Sequence, residues 1–118
     1  MKMSRIFSLI VLAGALGLSA SAAEVKGILT DRLCAAKIAT GGQAAAKAHE
    51  RSCAMTPPCE QSGYGVFTAD NRFLWFNGTG NTKAIEALKA STKKDNLTVT
   101  VIGAIKGQTL EVADLKLD

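Results

Sequence analysis

A small, mostly β barrel of five strands with helices packed on it is the fold the sequence predicts, and three observations predict it. The chain has 118 residues, which leaves room for one modest core. Its apolar residues alternate with period two in several short runs, and Gly, Asn and Asp separate those runs. The runs come in the order strand, extra helix, strand, strand, helix, strand, strand.

The first residues stand apart from that pattern. Lys2 and Arg5 precede an apolar run from Ile6 to Leu18, and Ala20-Ser21-Ala22 then reads as an A-x-A cleavage site. Residues 1–22 are therefore expected to be a signal peptide, with the mature domain at 23–118. The apolar run falls short of the roughly 20 residues a membrane span needs, so no stable membrane anchor is expected. The predicted location is periplasmic or extracellular. Lys+Arg number 14 and Asp+Glu 10, for a net charge of +4. Removing Lys2 and Arg5 with the leader leaves 12 against 10, or +2. That balance excludes nucleic acid as the expected partner.

The elements follow in order. Glu24 to Asp31 reads as a first strand, with Val25, Gly27 and Leu29 on one side. Gln43 to Cys53 is alanine-rich without a β-branched residue and reads as a helix. It places Ala45, His49 and Cys53 on one stripe. Pro57-Pro58 ends that helical region. Tyr64–Thr68 and Arg72–Phe76 form a hairpin signal around Ala69-Asp70-Asn71. Asn81 caps a helix running to about Ala90. Asn96 to Ile105 is the clearest strand, with Leu97, Val99 and Val101 alternating against Thr98, Thr100 and Ile102. Thr109 to Leu117 is the last strand, and its change of phase at Ala113 reads as a bulge. Without the insertion at about 34–60, this is the order of an OB-fold barrel. A small α+β sandwich is the alternative.

The chemistry of the chain is concentrated in that insertion. Cys34, Cys53 and Cys59 are the only cysteines and His49 the only histidine. For an exported chain a structural disulfide between two of the three is the first expectation. Spacing leaves all three pairings open. The rival reading is a metal site, with Cys34, His49, Cys53 and Cys59 as ligands for zinc, or a copper site helped by the Met55 thioether. A thiol redox protein is the third reading, although no C-x-x-C pair is present. Hydrolysis is disfavoured because no carboxylate is evident to orient His49, and Asp31 reads as a strand end or cap. Arg72, Trp75 and Phe76 form a candidate ligand surface, while Phe73 and Trp75 share a parity that also suits the barrel interior.

Three blocks carry a resemblance. Gly27-Ile28-Leu29-Thr30-Asp31-Arg32-Leu33-Cys34 follows G-x-[IL]-x-D-x-x-C, and His49 to Met55 contains H-x-x-x-C-A followed by Cys59. Leu97 to Gly103 ends in V-x-G. Together they resemble a group of small exported bacterial proteins with an OB-like core and a Cys/His insertion after the first strand. The chain departs from them in the five-residue spacer with Pro57-Pro58 between Cys53 and Cys59. The resemblance implies fold and compartment and brings no activity with it. The expectation is an exported binding or interaction domain, stapled by a disulfide and without a cofactor. Its expected partner is an envelope protein, a glycan or a small ligand.

Overall fold

The computed structural model describes residues 22–118. The expected signal segment, apart from Ala22, lies outside the described residues. The elements are β1 (Ala22–Asp31), α1 (Ala35–Ala48), α2 (Arg51–Ala54), α3 (Pro57–Ser62), β2 (Tyr64–Thr68), β3 (Phe73–Phe76), α4 (Gly78–Ala90), β4 (Thr98–Lys106) and β5 (Thr109–Leu117).

The strands close into a five-stranded barrel in the order β1-β2-β3-β5-β4. This is an OB-like arrangement and not a sandwich. β1 is shared between two neighbours. Gly27 to Asp31 pairs with β2, and Ala22 to Ile28 pairs with β4. A short parallel contact, Trp75↔Thr109 and Phe76↔Leu110, closes the seam between β3 and β5. The expected alternation holds along β4, where Val99 and Val101 are buried and Thr98, Thr100 and Ile102 are half-buried. The bulge also falls where the phase changed. Ile102 faces Asp114 and Gly103 faces Val112, so Ala113 is the extra residue.

Two apolar clusters hold the fold. The barrel interior contains Val25, Leu29, Val66, Leu74, Phe76, Val99, Val101 and Leu110, with Leu88 from α4 closing one end. A second, smaller cluster lies outside the barrel, where Ile38 and Ala46 of α1 cover Ile28 and Phe67. β1 is thus buried on both faces near its end, which explains why Ile28 through Asp31 are all buried.

The helical predictions need correction at three points. The Gln43–Cys53 helix does not exist as one piece. α1 starts earlier, bends at Gly42 (φ 67°, ψ −151°), and stops at Ala48, because His49 is extended (φ −66°, ψ 122°). Ala45, His49 and Cys53 therefore share no stripe. Pro57-Pro58 opens α3 instead of ending a helix, since proline's missing N–H costs nothing in the first turn. The cap of α4 is Asn77 and not Asn81. Its Oδ1 accepts from the Gly80 N–H at 3.1 Å and from the Val112 N–H at 3.2 Å, tying the helix start to β5.

Candidate functional site

β1 carries Asp31 to the end of the barrel, opposite Tyr64 of β2. The side chain is fully buried. A buried carboxylate is tolerated only when its oxygens are satisfied, and those of Asp31 are. Oδ2 accepts from the Cys34 N–H at 3.0 Å, across the tight turn into α1. Oδ1 accepts from His49 Nε2 at 2.7 Å. The His49 side chain is only 7% exposed. An ionised carboxylate can only accept, so Nε2 carries the hydrogen. Nδ1 makes no hydrogen bond among the described residues. The break in the helical run after Ala48 is what lets His49 turn inward to this partner.

Two thiols complete the cluster. Cys34 is half-buried at the start of α1, and Cys59 is buried in α3. The donor atoms of Asp31, Cys34 and Cys59 all lie within 4.8 Å of one another. The segments that bring them together are tied by hydrogen bonds of backbone and side chains. Arg32 N–H donates to Gly63 O at 2.9 Å, and Leu33 N–H to Ser62 Oγ at 3.2 Å. Tyr64 Oη donates to Ala54 O at 2.7 Å. Arg51 reaches across to α4 and the loop after it, donating to Leu88 O at 3.1 Å and Lys93 O at 3.0 Å.

The electrostatics follow from burial and charge. Burial works against the charged form of Asp31. The hydrogen bond from His49, the Cys34 N–H, the attraction of the His49 ring and the Cys59 thiol outweigh it, and they hold the carboxyl below the usual 3.8. Cys34 moves the other way. Burial, the Asp31 charge and Cys59 push its thiol up to about 11. Tyr64 is pushed up to about 12 by burial, with Glu60, Asp31 and Cys59 adding to it. Cys34 is thus overwhelmingly a thiol at neutral pH until something replaces its proton.

These positions correct the expectations. No disulfide is present: Cys34, Cys53 and Cys59 are all free. The work assigned to a staple, holding the insertion against the barrel, falls to the hydrogen bonds just described. The four-ligand set of Cys34, His49, Cys53 and Cys59 does not assemble either, because His49 is turned to Asp31 and Cys53 is exposed outside the cluster. Met55 packs against the barrel core, and its Sδ accepts from Arg51 Nη1 at 3.2 Å, so it supplies no ligand. The thiol redox reading lacks a low-pKa cysteine at Cys34. Asp31, read as a cap, is the residue the sequence reasoning undervalued. The D-x-x-C spacing was the available signal.

The candidate ligand surface is divided. Phe76 is 7% exposed and faces the core. Arg72 is exposed and pairs with Asp70 at 3.2 Å. Trp75 lies outside, stacked on Phe73 at 4.9 Å, with the Arg32 guanidinium 4.9 Å above its ring. A cleft of about 270 Å³ opens beside the cluster instead, lined by Cys34, Lys37, Ile38, His49, Glu50 and Cys53. No described helix is long and apolar enough to cross a membrane. Compared with known proteins, the chain matches no family model, no curated protein and no solved structure.

Proposed function

We propose that this chain is an exported small barrel domain, of the group its sequence blocks resemble, and that it binds one zinc ion through Asp31, Cys34 and Cys59. The observation that carries the reading is the convergence of one carboxylate and two thiols, from β1, α1 and α3, within 4.8 Å. Two sulfurs about 2.3 Å from a tetrahedral ion stand about 3.8 Å apart, so shifts of about an ångström bring the donors to bonding distance. Two thiolates and a carboxylate suit zinc, which accepts sulfur and oxygen together, better than Cu(I), which selects soft donors alone. His49 supports the set from behind by fixing the Asp31 carboxylate. A carboxylate has about four lone-pair positions, and loss of the thiol protons frees one for the metal. Three protein ligands leave a fourth position open to water or another ligand.

Export rests on the Lys2–Ala23 pattern. It is checked by the N-terminus of protein recovered outside the cytoplasm, expected at Ala23. Recovery of the chain only in the cytoplasm, still starting at Met1, would remove the export reading.

The metal reading is tested by titrating the reduced protein with zinc against a chromophoric chelator. Cobalt(II) is titrated in parallel for sulfur-to-metal charge-transfer absorption. One equivalent per chain is expected. Cys34→Ser and Cys59→Ser each lose about 100-fold or more in affinity, and His49→Ala loses about 10- to 100-fold. Binding that is absent, or indifferent to Cys59→Ser, sinks the proposal.

A further inference from the structure

The two thiols of the cluster come from separate segments, one entering α1 and one in α3, and their distance apart depends on what ties those segments together. Each segment carries its own short-range bond at a spacing of three. In the first, the Asp31 carboxylate accepts from the Cys34 N–H at 3.0 Å. In the second, the Ser62 hydroxyl donates to the Cys59 carbonyl oxygen at 2.6 Å, in the last turn of α3. A hydroxyl has one hydrogen to give and two lone pairs to offer. The other acceptor in reach of that hydrogen, the Gly63 carbonyl, stands at 3.3 Å, so the shorter bond to Cys59 takes it. The lone pairs are then free for the first segment, and Ser62 Oγ accepts from the Leu33 N–H at 3.2 Å. One hydroxyl thus joins the main chain of Cys59 to the residue immediately before Cys34.

We propose that Ser62 is a positioning residue of the zinc site, its hydroxyl clamping the Cys59 turn to the Leu33–Cys34 turn so that both sulfurs reach one ion. This rests on the zinc reading and deepens it by naming the group that holds the two sulfurs in range.

The division of labour follows from the geometry. Asp31 meets both segments from the buried side, where its carboxylate stands among the two thiols. Ser62 is half-buried and meets them through the main chain, from the α3 end. The Arg32 N–H to Gly63 O bond, at 2.9 Å, docks the same two segments one residue further along on α3. It involves neither cysteine nor a direct neighbour of one. Removing the Ser62 hydroxyl therefore leaves the docking in place and frees the turn that carries Cys59. Ligand sets lose affinity when their support is loose by about an ångström, and outer partners of metal ligands each contribute about 10- to 100-fold.

The test compares wild type with Ser62→Ala and Ser62→Thr, all reduced and metal-free. Zinc affinity is read by competition with a chromophoric chelator, and the cobalt(II) complex of each protein is recorded at saturation. Ser62→Ala is expected to bind zinc about 10-fold more weakly or worse. Its saturated cobalt complex is expected to lose sulfur-to-metal charge-transfer absorption per bound ion. Ser62→Thr keeps the hydroxyl and is expected to restore both. A weaker fold alone would lower the apparent affinity and leave the spectrum of the bound ion unchanged. Wild-type affinity and spectrum in Ser62→Ala overturn the proposal and leave the zinc site standing. Lost affinity with an unchanged spectrum also overturns it, by making Ser62 a part of the fold alone. A wild-type protein that takes up neither ion, or that is indifferent to Cys59→Ser, instead removes the zinc reading and the clamp with it.

Discussion

Asp31→Ala is expected to lower the unfolding free energy of the zinc-free protein by about 3–5 kcal/mol. The side chain is fully buried and its oxygens satisfy the His49 ring and the Cys34 N–H. Removing it leaves a buried imidazole donor without a partner and takes away the bond that closes the turn into α1. A partner stranded in this way costs far more than the pair contributes. The double variant Asp31→Ala/His49→Ala should therefore recover part of the loss, and urea unfolding of the four-member cycle measures that coupling. Strictly additive losses would refute the coupling. The pair also makes the fold acid-sensitive. The folded carboxyl is held below 3.8, so its contribution is complete above that value and drains away as pH falls through the folded pKa. Asp31→Asn should flatten the acid limb of the stability curve.

Gly103→Ala is expected to cost about 3 kcal/mol or more, because overpacking here meets backbone and not side chain. A Cβ on Gly103 would run into the Glu111 carbonyl oxygen, with the Val112 Cα 3.1 Å away. Both atoms belong to the strand paired across the bulge, so no rotamer change relieves the clash. For a chain of this size the melting temperature should fall by about 12–24 °C. Gly78→Ala is the control. Nothing lies within 4 Å of its Cβ position, at the first residue of α4, and the change should be close to neutral. A Gly103→Ala protein within about 0.5 kcal/mol of wild type would show that β4 and β5 can part at the bulge without loss.

The barrel was legible because its exposed strands obey a period of two. β4 has one face in the core and one toward solvent, so Leu97, Val99 and Val101 announce their side. The phase change in β5 likewise located the bulge at Ala113. β3 was misread for the opposite reason. Phe73 and Trp75 look like core residues, yet Leu74 and Phe76 fill the barrel. The outer face is also apolar there, since Phe73 and Trp75 stack beside Phe67 and under Arg32. Alternation carries no side label when both faces are apolar.

The candidate site was half legible. Its window and its thiols could be read, because every cysteine and the only histidine fall in it. Its partners could not. Helix propensity runs unbroken from Gln43 to Cys53, and no local signal stops it at Ala48. The stop coincides with tertiary hydrogen bonds, His49 to Asp31 18 positions away and Asn96 N–H to Lys47 O, which no local pattern announces. Once the helix breaks there, Cys53 is carried outward and Cys59 becomes the second inner thiol.

The way β1 is shared between its neighbours gives its two ends loop closures of different cost. The site end of β1, with Asp31, pairs with β2, and the loop so closed spans about 30 residues. The other end pairs with β4, across about 70 residues. The difference in closure entropy is about 0.8 kcal/mol in favour of the β1–β2 pairing. Asp31, Cys34, His49 and Cys59 all lie within the shorter of the two loops, between β1 and β2. The cluster thus draws on the cheaper closure, and β4 completes the barrel around it at the larger entropic cost.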